Sequence, residues 1–146
     1  MGIGVEVHEA AQRHHTIIGI GCDIQQISSL KQTMDRQSRF VPSLFTAAEI
    51  SYCESRGRPE QHFAARWAAK EAFYKAVSRL LEGPIPFRQV EICHANGGQP
   101  CLNLYGELKQ QCEARGLAFY LSLSHSADMA MAYIVAVTHN ETGASP

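Results

Sequence analysis

Phe63-Ala64-Ala65-Arg66-Trp67-Ala68-Ala69-Lys70-Glu71-Ala72-Phe73-Tyr74-Lys75-Ala76 is the stretch around which the rest of this chain has to fold. Alanine is the strongest helix former, and no Gly or Pro interrupts the run. The pattern predicts a helix over Gln61 to Leu81, ended by Gly83-Pro84. Phe63, Trp67, Phe73, Val77, Leu80 and Leu81, with the alanines, fill most sides of the helical wheel. A helix apolar nearly all round lies in the middle of its domain. Charges carried by such a helix must be paired, bound to a metal or open to a cleft. Glu71 and Lys75 are spaced (i, i+4), and Arg66 and Lys70 share that spacing on a different side. Spacing alone leaves two readings of Glu71 and Lys75 open, a helix-stabilising ion pair or part of a site.

Upstream, Ile17-Ile18-Gly19-Ile20-Gly21-Cys22 is apolar, rich in isoleucine and broken by glycines, and reads as a buried strand with Asp23 at its end. Glycines there let another backbone or a ligand approach closely. Asp23 either caps the next helix or joins Glu71 in holding a hard cation such as magnesium. Ile27 to Phe40 reads as a surface helix stopped by Pro42. Thr46 and Glu49 have capping-box spacing, placing a short helix over Ala47 to Glu54.

Downstream, Val90 to Cys93 and Pro100 to Leu104 read as strands around an Asn96-Gly97-Gly98 turn. Gly106 to Arg115 is helical. Leu117 to Ser124 and Ala130 to Val137 close the domain as a hairpin through Ser126-Ala127-Asp128. This mixture with late antiparallel strands predicts an α+β fold. The expected organisation is an extension over 1–15, one domain over 16–138 and a frayed tail over 139–146.

The 146 residues carry 13 Lys and Arg against 14 Asp and Glu, a net charge of −1, which argues against a general nucleic-acid footprint. No apolar run approaches the roughly 20 residues that span a bilayer. The five cysteines are odd in number, scattered and without a CxxC pair, which fits neither a disulfide framework nor a zinc site. With no export signal in the first residues, a cytoplasmic chain with reduced thiols is expected. Ser124 beside His125 invites a hydrolase reading. No GxSxG elbow is present, however, and neighbours on a strand point to opposite faces.

Taken together, Gly19-Ile20-Gly21-Cys22-Asp23-Ile24, Phe45-Thr46-Ala47-Ala48-Glu49, the Phe63–Ala76 core, Gly98-Gln99-Pro100 and Leu121-Ser122-Leu123-Ser124-His125-Ser126 resemble the 4′-phosphopantetheinyl transferase superfamily. The resemblance is to its short holo-[acyl-carrier-protein] synthase type and covers Ile17 to Val137. It implies a mainly antiparallel sheet packed around a long buried central helix. It also implies transfer of 4′-phosphopantetheine from coenzyme A to a serine of an apo acyl carrier protein, with adenosine 3′,5′-bisphosphate as the other product.

By this resemblance Asp23 and Glu71 hold magnesium, and Lys75 contacts the phosphates and stabilises the leaving bisphosphate. Arg66 and Lys70 are further phosphate ligands, with a structural pair as the alternative for Lys70. Ser124 and His125 line the coenzyme A pocket. Lys31, Arg36, Arg39 and Phe40 form the carrier-protein platform, and fatty acid biosynthesis is the default pathway. The short members are homotrimers with the active site at a subunit boundary. Two departures stand out: Ser28-Ser29 where relatives often have a basic residue, and Gln99 where Lys or Arg is common. Two other classes compete, a non-catalytic coenzyme A or carrier-protein binding module and a magnesium-dependent coenzyme A phosphohydrolase.

Overall fold

The structure, a computed structural model, describes residues 14–140. Strand β1 (His14–Gln26) leads into α1 (Ile27–Arg36), α2 (Phe40–Leu44), α3 (Ala47–Glu54) and the long α4 (Pro59–Val77). A hairpin of β2 (Val90–His94) and β3 (Pro100–Leu104) follows, then α5 (Gly106–Ala114), β4 (Leu117–Ser126) and β5 (Met129–Asn140). One antiparallel sheet has the order β1-β5-β4, and β2 and β3 form a second. The fold is thus α+β, with α4 packed on the three-stranded sheet. Strand pairing continues outward to His14 opposite Asn140, beyond the expected body of 16–138. The remainder of the extension and of the tail lies outside the described residues.

Helix α4 buries Phe63, Ala64, Ala68, Ala69, Ala72, Phe73, Ala76 and Val77, as its apolar wheel requires. Its bounds differ from the expected Gln61 to Leu81. Pro59 occupies the first helical position, where its missing N–H costs nothing and its fixed φ suits the turn. Beyond Val77 the chain tightens, and the N–H groups of Leu80 and Leu81 both donate to the Val77 carbonyl.

The helix lies very close to the sheet. A Cβ at Gly21 would stand 1.7 Å from the Ala72 carbonyl oxygen, and one at Gly19 would stand 2.1 Å from that of Ala76. Two glycines on one face of β1 therefore meet two alanines on one face of α4. Beneath the helix, β5 contributes Ala130, Ala132, Ile134 and Ala136, all fully buried. Small residues on both surfaces set the distance.

The expected Ile27 to Phe40 helix is two pieces. α1 stops at Arg36, and Gln37 turns extended at φ −122° and ψ 91°. The break lets Phe40 swing onto Trp67, with ring centroids 5.8 Å apart. Pro42 sits in the first turn of α2, where no N–H is needed, so it does not stop that helix. Gln26, at the cap position before α1, offers no side-chain cap. Asp128, in the β4–β5 turn, supplies it instead: its carboxylate accepts from the backbone N–H of Ser28 at 3.0 Å and from the Ser28 hydroxyl. The capping box of Thr46 and Glu49 at the head of α3 forms as its spacing predicts.

The far face of the sheet carries rows of Ile20, Val135 and Tyr120, then Cys22, Tyr133 and Ser122, then Ile24, Met131 and Ser124. Ile20, Ile24 and Tyr120 are each more than half exposed, at 55%, 57% and 59%. Among the described residues no helix is long and apolar enough to cross a membrane.

The close approach is testable. Gly21→Ala should lower the unfolding free energy by about 1–3 kcal/mol or more, the range of overpacking in a tight core. Gly57→Ala, where an added Cβ meets nothing within 4 Å, should be near neutral. Urea unfolding of both variants reads the difference directly.

Candidate active site

Gly19, Gly21 and Asp23 alternate along β1 and so share the face that meets α4. The two glycines draw the helix in, and the acid that follows meets the next polar group along it. Lys75 Nζ lies 3.0 Å from Asp23 Oδ1 and donates to the Cys22 carbonyl at 2.9 Å. Asp23 Oδ2 accepts from the Gln25 amide at 2.7 Å. Asp23 is therefore neither at the strand end nor a helix cap; the strand continues to Gln26. Lys75 reaches across to Asp23 rather than pairing with Glu71 along the helix.

Glu71 is half-buried one turn before Lys75. Burial, then the negative charge of Asp23, raises the proton affinity of its carboxyl, with Lys75 opposing. Glu71, whose ionisation the neighbouring Asp23 charge disfavours, forms with it a pair of carboxylates suited to a cation. Among the described residues no third His, Cys, Asp or Glu completes a cluster with them. The donor set is thus two hard oxygens with the remaining positions left to water or a ligand's oxygens, which suits magnesium and does not suit a structural zinc.

Lys70 has a different place. Its side chain is fully buried and its ammonium lies 2.9 Å from Glu49 Oε2. It also donates to the carbonyls of Phe87 and Val90. All three protons are occupied, so Lys70 is closed to a phosphate, and the structural pair is what forms. Burial pulls its pKa down, with Glu49 acting in the opposite direction. Glu49 also accepts from the backbone N–H groups of Thr46 and Ile92, each at 2.9 Å.

Arg66, His125 and Ser124 gather at the other flank of α4. With Tyr52, Gln61, His62 and His94 they border a cavity of about 160 Å³. Arg66 is 2% exposed, its guanidinium lies 4.1 Å from the centre of the Tyr52 ring, and its Nε has no hydrogen-bond partner among the described residues. Arg56 covers the same ring at 4.3 Å. Burial and these two cations lower the pKa of His62 and of His94. Ser124 pairs with Met131, so its side chain turns to the far face of the sheet, away from His125.

The two groups do not meet within one chain. Asp23 and Leu123 are both partners of Ala132, and His125 follows Leu123 on the same face. Two strand spacings, about 10 Å, separate β1 from β4, with β5 between them and α4 packed over the sheet. A cleft of about 430 Å³ at the open edge of β1 is bordered by Lys75, Tyr74 and Arg79. A larger one of about 840 Å³ between β3, α5 and β4 holds none of the predicted residues.

On α1, Lys31 is paired with Asp35 at 2.8 Å. Arg36 and Arg39 are exposed, while Phe40 is half-buried against Trp67. Of the four residues expected to meet a carrier protein, the two arginines face outward and the phenylalanine packs inward on Trp67.

Sequence reasoning passed over Gln25, Tyr52, Gln61, His62 and His94 as site residues. Their positions carry no motif, and only the fold gathers them.

Residues 19–137 match the family model of the 4′-phosphopantetheinyl transferase superfamily. A holo-[acyl-carrier-protein] synthase of Cytophaga hutchinsonii is 39% identical over 126 residues, spanning 82% of this chain and 96% of that protein. One from Syntrophus aciditrophicus is 37% identical over 119 residues, spanning 80% and 93%. The crystal structure of holo-[acyl-carrier-protein] synthase from Neisseria meningitidis superposes with a TM-score of 0.76 at 32% identity, over 83% of this chain and 98% of that one. The Chronobacterium ammoniagenes ACPS-CoA complex superposes with a TM-score of 0.72 at 28% identity, over 84% and 98%.

The raised proton affinity of Glu71 fixes a sign. Folding favours its neutral form, so this group's contribution to stability is present below the unfolded carboxyl value of about 4.3 and lost as pH rises through the folded value. In chelator-treated buffer Glu71→Gln should raise the urea midpoint at neutral pH, with the gain vanishing at acidic pH. A gain equal at both pH values would contradict the carboxylate pair.

Proposed function

This chain belongs to the 4′-phosphopantetheinyl transferase superfamily as a holo-[acyl-carrier-protein] synthase, and we propose how its residues divide the work. The enzyme transfers 4′-phosphopantetheine from coenzyme A to a serine of an apo acyl carrier protein, releasing adenosine 3′,5′-bisphosphate. The observation that carries the residue assignment is the convergence of Asp23, Glu71 and Lys75 where α4 crosses β1.

Asp23 and Glu71 hold the magnesium ion. When bound, the ion neutralises charge growing on the phosphates and lines up the attacking hydroxyl. Lys75 leaves Asp23 to stabilise the leaving bisphosphate; its exposed stem gives it that freedom. The serine proton departs through Glu71 or a water that Glu71 orients. Arg66 and His125, with Ser124 on the rim, receive the nucleotide end of coenzyme A.

Since these residues lie across α4 from the carboxylates, we infer that one copy supplies the carboxylates and the next supplies Arg66 and His125. The exposed apolar rows of Ile20, Ile24, Met131, Tyr133 and Tyr120 support a homotrimer built through the far sheet face. Five free cysteines support a reducing, cytoplasmic location and a place in fatty acid synthesis is its default. Arg36 and Arg39 steer the acidic carrier protein onto α1.

The deciding experiment mixes the protein with coenzyme A, magnesium and an apo acyl carrier protein and weighs the carrier by mass spectrometry. One phosphopantetheine arm should be gained, and chelator should abolish the gain. Coenzyme A breakdown without carrier would instead indicate a phosphohydrolase; binding without any turnover would indicate a binding module. Asp23→Ala and Glu71→Ala should each lower transfer by about 10²-fold or more with unchanged circular dichroism. Substantial activity in either would sink the metal assignment. Arg39→Glu should raise the KM for carrier protein about tenfold at low salt while leaving coenzyme A binding unchanged. Equal loss of both would remove Arg39 from the platform.

A further inference from the structure

His125 lies on the α4 face of β4, and Gln61 stands in the first turn of α4 above it. Gln61 Nε2 is 3.2 Å from His125 Nε2. With the amide nitrogen placed toward the ring, Gln61 donates and His125 Nε2 accepts, an assignment that puts the ring proton on Nδ1. Gln61 is itself well held, since its backbone N–H donates to the Arg58 carbonyl at 3.2 Å and α4 is fixed on the sheet.

The surroundings give that tautomer a purpose. The cavity beside the ring is bordered by Tyr52, His62, Arg66 and His94, and by no carboxylate. Arg66 is buried there with Nε unpartnered among the described residues. A cavity furnished with donors and one unsatisfied guanidinium N–H takes an anion. An imidazole serves an anion only through an N–H; a bare ring nitrogen facing phosphate would repel it. Whichever nitrogen is tied to Gln61 decides which one is left to meet the ligand.

We propose that Gln61 is a positioning residue that holds His125 in its Nδ1–H tautomer so that the ring donates to a phosphate oxygen of coenzyme A. The proposal rests on the reading that His125 faces coenzyme A, and the test separates the two.

Long-range proton–nitrogen NMR spectra of histidine-labelled protein should show His125 with a protonated Nδ1 and a bare Nε2. Gln61→Leu should move the ring toward the Nε2–H tautomer, and Gln61→Glu, which accepts from the ring, should move it further. Gln61→Leu should raise the KM for coenzyme A about threefold to tenfold, the affinity one hydrogen bond confers. Its kcat should stay within about twofold, which marks lost binding rather than lost chemistry. A wild-type ring already in the Nε2–H form overturns the proposal, as does a Gln61→Leu variant with unmoved tautomer and KM. If Gln61→Leu does not fold by circular dichroism, the uncharged Gln61→Met carries the same readouts. His125→Ala decides the premise: an unchanged KM removes His125 from the coenzyme A site. A raised KM there with an inert Gln61→Leu overturns the positioning role alone.

Discussion

The approach of α4 to β1 is the constraint from which the site follows. A helix normally keeps its distance from a sheet because side chains on both surfaces hold it off. Here Gly19 and Gly21 present no side chains, and Ala72 and Ala76 present only methyl groups. The helix backbone comes down onto the strand, and Asp23, next on the same face, is brought under Lys75 and near Glu71. A larger residue at either glycine would lift the helix and separate the carboxylates. Asp23, Glu71 and Lys75 are thus placed by a close backbone approach, on two regular elements, where positional precision is greatest.

A second device fixes the middle of the same helix. Glu49 completes the capping box of α3, accepts from the Ile92 N–H of β2 and holds the ammonium of Lys70. Thr46 passes the connection to Glu91, which also accepts from Asn103 and Tyr105. Every buried oxygen and proton of this set is engaged, the condition under which a buried charge is tolerated. The network joins α3, α4 and the β2–β3 hairpin. It also immobilises the residue immediately before Glu71.

Much of this was legible in the amino-acid pattern. The wheel of α4 and the Thr46–Glu49 box each depend on neighbours close in sequence, and both formed as expected. The first strand formed but is neither buried nor ended at Asp23, since it runs on to Gln26 with Ile17, Ile20 and Ile24 exposed. Three features were not legible. A structural pair for Lys70 was one of the readings open in the sequence, but its partner Glu49 and the carbonyls of Phe87 and Val90 come from α3 and the segment leading into β2, so nothing near Lys70 announces them. The cap of α1 comes from Asp128, one hundred residues away, so nothing near Gln26 announces it. The break after Arg36 is dictated by the Trp67 ring waiting for Phe40, a tertiary contact that outweighs the local helical pattern. The cluster of Tyr52, His62, His94 and His125 was hidden for the same reason, since four separate elements contribute to it.

The pairing of the outer strands has a topological consequence. His14 lies directly opposite Asn140, so the described path through the domain begins and finishes on adjacent, antiparallel strands. Over residues 14–140 the backbone is in effect a loop with one gap. Bridging His14 to Asn140 would need only a short, tight connection, since a short closure carries little entropic cost. The chain could then be reopened at an exposed turn such as Gly97-Gly98 without cutting β1, α4 or β5. Every residue of the Asp23–Glu71–Lys75 constellation would stay on an unbroken element, so this architecture can be rewired by circular permutation without disturbing its chemistry.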